Sequence, residues 1–268
     1  MPNISFRDSQ SFCLGFAGGI QAGAGNHLFT ATVARDVMLA RPILQLENGQ
    51  PPAGYTDGDI VRFDVAGQSV LTTNQPAHCA ALNAVSQNEG AGYIGIPLAA
   101  NSQVFLSTNN YTGAAPGPIA VASVLADPWD TSLNGPVPSV DSLGSSGLSV
   151  LAGLGSIVHP GGAQNLQLQA TCLRTIQLGM LCIDYHSTAA NASANEFAIL
   201  TSLRINQTEL LASVDGVALS AFSFKSVDVD LKTISMIAPL NSTITAQITT
   251  IAGAPAGVIK GSIWALPA

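Results

Sequence analysis

Residues 101–127 read NSQVFLSTNNYTGAAPGPIAVASVLAD, and residues 241–267 read NSTITAQITTIAGAPAGVIKGSIWALP. The two stretches align without a gap at an offset of 140. Asn101, Ser102, Gly113, Ala114, Gly117 and Ile119 recur as Asn241, Ser242, Gly253, Ala254, Gly257 and Ile259, and Val104 becomes Ile244. A second match lies upstream in each half. Residues 26–44 (NHLFTATVARDVMLARPIL) align with 165–183 (NLQLQATCLRTIQLGMLCI) at an offset of 139. Here Asn26, Ala31, Thr32, Arg35 and Leu39 recur as Asn165, Ala170, Thr171, Arg174 and Leu178. Two matches in the same order and at nearly the same offset point to an internal duplication. The alternative is that strands rich in Ala, Gly, Ser and Thr resemble each other by composition.

The duplication sets the expected domains: 1–127 with an N-terminal arm, a Pro/Gly/Ser-rich linker at 128–164, and 165–268. Each repeat of about 100–130 residues is of ordinary domain size. Gly147 to Val158, inside the linker, is expected to form a short apolar helix or strand that packs onto a neighbour. The repeats read as β. Val227, Val229 and Leu231 alternate with Asp228, Asp230 and Lys232, the period of a strand with one wet face. Ser242 to Thr250 alternates with β-branched residues. Further strands are expected at 28–34, 37–45, 59–65, 91–96, 103–108 and 118–126, and at 166–171, 175–185, 196–205, 217–224 and 257–266. Turn signals such as Asn48-Gly49, Asp57-Gly58 and Asp215-Gly216 separate them. Only Ala77 to Val85 reads as helix. Many short strands with regular turns give an all-β chain of two tandem sandwiches.

Charged residues make up 9% of the 268, against about 25% in an ordinary soluble protein, while 47% are hydrophobic. A charge-poor surface on a well-cored chain is best explained if much of it is covered by partners. Net charge is −7, with only nine Lys plus Arg and no basic run, so direct nucleic-acid binding is not expected. The opening residues, MPNISFR, lack the charged start and apolar run of a secretory leader. Cys13, Cys79, Cys172 and Cys182 form no CxxC pair. Cys172 and Cys182 share a parity, and on one strand they would lie too far apart to bond. Free thiols and synthesis in a reducing compartment, the host cytoplasm, are expected.

Catalytic, cofactor and metal sites are not expected. There is no GxSxG, HExxH, P-loop or CxxC motif. A duplicated cupin barrel would need clustered His and carboxylate ligands. His27, His78, His159 and His186 are never closer than 27 residues. His186 reads as an exposed or satisfied strand-end residue. The Gly15 to Gly25 run lacks the flanking strand, helix and Lys of a phosphate cradle, and reads as a flexible arm or loop. Asp57 and Asp59, with Asp64 nearby, could hold Ca²⁺ between subunits, or form an acidic turn facing water. Arg35 and Arg174 are expected to share one structural role, such as pinning a strand edge. Trp264 is expected to fill the second core and Trp129 to dock the linker.

Two tandem β-sandwiches in a short, charge-poor chain resemble the double jelly-roll major capsid proteins of tailless, membrane-containing icosahedral bacteriophages, the tectivirus and corticovirus groups. In each half, a strand from Asn101-Ser102 or Asn241-Ser242, a Gly/Ala/Pro turn and a strand around Ile119 or Ile259 look like the late strand pair of a jelly roll. The resemblance implies a homotrimer whose six sandwiches form a pseudo-hexameric capsomer. It implies capsomer–capsomer contacts, penton or minor capsid proteins as partners, and residence in the virion shell. It would also place the Gly-rich run in an N-terminal arm that crosses to a neighbour. The scarcity of Lys and Arg fits a lipid membrane or another protein lying between shell and genome. The longest candidate insertions, 45–58 and 185–196, leave room only for small outward towers. The alternative reading is a trimeric β-rich phage spike or fibre, or a carbohydrate-binding adhesin.

Overall fold

The computed structural model describes residues 12–22, 25–47, 58–78, 96–110, 119–128, 132, 135–136, 150–187, 193–212, 214–223 and 233–268. They divide into two compact units. The first lies within Met1–Leu71 and Cys79–Val150, and the second is Leu151–Leu266 together with Thr72–His78.

In the first unit the strands are β1 (Phe12–Ala22), β2 (Gly25–Thr32), β3 (Val37–Glu47), β4 (Gly58–Val65) and β5 (Gln68–Ser69). The next strand, β6 (Ala77–His78), falls in the Thr72–His78 segment of the second unit. The first unit continues with β7 (Ile96–Leu98), β8 (Gln103–Asn110) and β9 (Ile119–Pro128). Hydrogen-bonded neighbours run β1-β9-β3-β7 in one ladder and β2-β8-β4-β5 in the other. The ladders meet at a single recorded pair, Ala17 with Thr30, within the break where β1 leaves the register of β9 between Gly15 and Ile20. The glycine-rich sequence there lets a strand turn a corner between sheets. The Gly15 to Gly25 run is thus largely strand, not the flexible loop expected from sequence.

The second unit has β10 (Val150–His159), β11 (Asn165–Thr171), β12 (Ile176–Ser187), β13 (Ala198–Ile205), β14 (Thr208–Glu209), β15 (Val217–Ala218), β16 (Thr233–Ala238), β17 (Thr243–Thr250) and β18 (Gly257–Pro267). Its sheets run β10-β18-β12-β16 and β11-β17-β13-β14, with β15 added on β13. Strand for strand this is the order of the first unit. Consecutive long strands alternate between two sheets, which is jelly-roll connectivity. The chain is all-β, with two units of this kind.

The equivalence extends to irregularities. Thr32 faces Gln103 in the first unit and Thr171 faces Thr243 in the second. The β4–β8 ladder shifts register between Ile60 and Arg62, and β13–β17 shifts between Leu200 and Ser202. Ala66 and Asn206 both have positive φ (50° and 54°), as do Asn101 and Asn241 (69° and 64°). The Val33 N–H donates to Ser102 O at 2.9 Å, and the Cys172 N–H to Ser242 O at 2.9 Å. Shared composition does not reproduce bulges and left-handed residues at one spacing, so the duplication is real.

The inner faces show how one scaffold takes two cores. Across β2, β8 and β4 stand Phe29, Leu106 and Phe63, then Ala31, Val104 and Val65. Across β11, β17 and β13 stand Leu168, Ala246 and Leu203, then Ala170, Ile244 and Ile205. All twelve are buried. Burying each larger side chain contributes about 1.5–3 kcal/mol.

Other sequence expectations change. The 128–164 linker contains β10, so the second unit starts well before residue 165. Ala77–His78 is extended, not helical. Of the strand expected at 217–224, only Val217–Ala218 is strand, followed by a short 3-10 helix at Leu219–Phe222. Residues 79–95, 224–232, Asp57 and Trp129 lie outside the described residues.

Candidate functional site

The second unit buries several polar side chains, among them His159, Asp184, His186, Asn195 and Lys260. His159, at the end of β10, is buried and sits edge-on to Tyr185 of β12, with ring centroids 5.1 Å apart. Its Nε2 lies 2.9 Å from Thr250 Oγ1. That hydroxyl donates to Gly162 O at 2.8 Å and accepts from the Gln164 N–H at 2.9 Å. Nε2 must therefore carry the proton and donate. Nδ1 is left to accept from the Gly161 N–H at 3.1 Å. The Tyr185 hydroxyl, 2.7 Å from Nδ1, donates to Pro255 O. Both ring nitrogens thus hold the Gly161-Gly162 turn against the end of β17 and the turn before β18. This arrangement fixes loops, and it presents no nucleophile to a substrate.

A second cluster lies on β12. Asn195 Nδ2 donates to Asp184 Oδ1 at 2.8 Å, and Asn195 Oδ1 accepts from the Tyr185 N–H at 2.7 Å. This clamps the returning segment of Asn195 to the strand. A third group gathers His78, His186 and Lys260, all buried, with Lys260 0% exposed. Burial, then the nearby charges of Lys260 and His186, hold the His78 pKa well below the usual imidazole range, so His78 is neutral. His186 is a buried strand-end residue rather than an exposed one. Trp264 is buried as expected of a core residue, and its indole Nε1 has no hydrogen-bond partner.

Of the residues singled out for cation binding, Asp57 lies outside the described residues. Asp59 is buried in β4, while Asp64 is held by the Arg62 guanidinium. Among the described residues, no three His, Cys, Asp or Glu side chains group as metal ligands would. Cys172 and Cys182 are buried and form no disulfide. Arg35 and Arg174 occupy the same place in the β2–β3 and β11–β12 turns. Beside them, Asp36 Oδ1 accepts from the Ala100 N–H at 2.9 Å, and Thr175 Oγ1 accepts from the Leu240 N–H at 3.1 Å.

The outer surface of the second unit carries the remaining features. Leu173, Met236, Ile237 and Leu240 are exposed, and β16, which supplies two of them, ends its sheet. A shallow groove of about 370 Å³ crosses β11, β17 and β13, lined mainly by the uncharged polar side chains of Asn165, Gln167, Thr201, Gln247 and Thr249. Asn165 Oδ1 accepts from Thr249 Oγ1 at 2.9 Å across it. These outer faces are apolar or neutral, which suits contact with another protein surface. Of the identities in the alignment, Asn165 alone falls on either patch.

No known protein family matches the sequence, and no curated protein does. Solved structures similar along nearly the whole chain include the following three. One is VP54 of PBCV-1, fitted into a reconstruction of the virophage Sputnik. It is 10% identical, the match covers 97% of this chain and 94% of that chain, and the TM-score is 0.47. The second is the major capsid protein P2 of bacteriophage PM2, at 12% identity, 96% and 98% coverage and a TM-score of 0.43. The third is the STIV MCP, at 10% identity, 96% and 97% coverage and a TM-score of 0.46. With TM-scores below 0.5, the assignment of two jelly-roll units rests on the strand order and register of the chain itself.

Proposed function

We propose that this chain is a structural protein, the major capsid protein of an icosahedral virus, acting as a homotrimer. The observation that carries the reading is the duplication of one jelly-roll unit within one chain, down to its bulges and left-handed residues. Three chains with two such units each offer six similar blocks, the number that tiles a flat facet. The low charge and the uncharged outer faces fit this role, because extensive contacts between copies cost less when few charges must be desolvated. Rigid blocks joined by many weak contacts let misplaced capsomers dissociate before a shell closes. The partners are further copies of the chain, penton or minor capsid proteins, and a membrane beneath the shell. The protein is synthesised in the host cytoplasm and resides in the virion. Electron microscopy of the purified protein tests the reading. Particles with a six-lobed outline are expected. Elongated rods, or single particles of one chain, would favour the spike or adhesin alternative.

A further inference from the structure

The segment Thr72–His78 follows β5 of the first repeat, yet it belongs to the second unit. Its backbone is held at both sides. The Thr72 N–H donates to Leu151 O at 2.9 Å and the Gly155 N–H to Pro76 O at 3.1 Å, both along β10. On the other side the Leu173 N–H donates to Thr72 O at 2.8 Å and the Asn74 N–H to Thr171 O at 3.0 Å. Side chains add to this. Thr73 Oγ1 donates to Gly153 O at 2.7 Å, Asn74 Oδ1 accepts from the Thr171 N–H at 2.8 Å, and the His78 N–H donates to Ser262 Oγ at 2.7 Å. Thr72, Thr73, Ala77 and His78 are buried.

The receiving surface is shaped for this strand. β10 ends its sheet, and the segment runs along its free edge. A Cβ on Gly153 would lie 2.2 Å from Pro76 O, so only glycine admits the segment at that point. An exposed sheet edge is a template for strand addition and is normally covered. Here the cover comes from the other repeat.

We propose that the β10 edge and the β11–β12 turn form a strand-docking site that Thr72–His78 fills as an intrachain donor strand, and that this strap is released separately from the rest of the second unit. The second unit is then completed by a segment that comes from the sequence of the first repeat. Cys172 reports on docking. It is 0% exposed and faces Thr73 as an antiparallel bridge partner. The bonds flanking this pair make it a non-hydrogen-bonded pair, with Cα atoms about 4.5 Å apart, within disulfide range. Cys182, buried in β12, reports on opening of the whole unit.

The test uses the full chain, alkylated by iodoacetamide under native conditions, with the modified cysteines identified by peptide mass spectrometry. Gly153→Ala and Asn74→Ala should each raise the rate at Cys172 at least tenfold while Cys182 stays protected. Unchanged labelling of Cys172, or equal labelling of both thiols, would overturn the proposal. Should these variants fail to fold, Thr73→Cys supplies a second reading. Added diamide takes two protons and two electrons from the new thiol and Cys172, forms the hydrazine and leaves a disulfide within one chain. No cross-link in the folded protein, or one joining two chains, would contradict an intrachain strap.

Discussion

The hairpin of β4 and β5 and the hairpin of β13 and β14 share a backbone and differ in what closes them. Both turn through a left-handed residue, Ala66 or Asn206. In both, the third residue after β5 or β14 begins reaches back to β4 or β13: Val70 N–H to Phe63 O, and Leu210 N–H to Leu203 O, each at 2.7 Å. In the first unit Ser69 Oγ accepts from the Leu71 N–H at 3.2 Å. In the second, Glu209 takes that place. It accepts from the Leu211 N–H at 3.2 Å, the Leu203 N–H at 2.9 Å, Ser202 Oγ at 2.5 Å and Arg204 Nε at 3.0 Å. Duplication preserved the backbone of the two hairpins, while their side chains diverged.

The largest expected effect tests the difference in core size. Phe63→Ala should destabilise the protein by about 3–5 kcal/mol and Leu203→Ala by about 2–5 kcal/mol in denaturant titrations, since aromatic truncation leaves the larger cavity. Equal small losses at both positions would mean that the inner faces are not packed as described. Next in size is Gly179→Ala. An added Cβ would meet Trp264 O at 2.6 Å, so a loss of about 1–3 kcal/mol is expected from the shift in midpoint.

Acid should sharpen the contrast between the units. His78 has a lowered folded pKa, so its neutral form is favoured in the folded state. Stability is fully present above the unfolded imidazole value of about 6.5 and declines as pH falls through the lower folded pKa. His78→Gln should flatten that part of the pH–stability curve. An unchanged slope between pH 6.5 and 5 would show that His78 does not remain neutral in the folded chain. The smallest effect concerns Glu209. Burial opposes its charge, yet the hydrogen bonds from Ser202, the Leu203 N–H, Arg204 and the Leu211 N–H prevail and hold its pKa at about 2. The stability it adds is present above about 4.5 and is lost as pH falls toward about 2. Glu209 is partly exposed, so solvent screening keeps the contribution small. Glu209→Gln should lower Tm slightly at pH 7 and not at pH 2, whereas Ser69→Ala should show no acid dependence.

The repeat was legible because identity survives where backbone geometry demands it. Asn101 and Asn241 sit at positive φ, and Gly253 occupies a left-handed turn. Most interior positions kept only their apolar character, as in Phe29 against Leu168, and Ala31 against Ala170 is an exception. β10 was legible only as an apolar helix or strand, because Leu151 to Leu154 is buried without alternation, which erases the period that marks a strand. β1 was hidden by its glycines. The strap could not be read at all, since its partners lie about 75–185 residues away and its short sequence carries no period. The burial of Lys260 was likewise not legible, since nothing in the sequence marks a lysine that is fully buried. The polar outer faces were legible only as composition, in the shortage of charge.

The most direct measurement is the mass of the purified protein in solution by multi-angle light scattering. Three chains of 27.3 kDa, about 82 kDa, or a larger multiple of three, is the predicted result. A stable single chain of 27.3 kDa at high concentration would contradict the capsomer account.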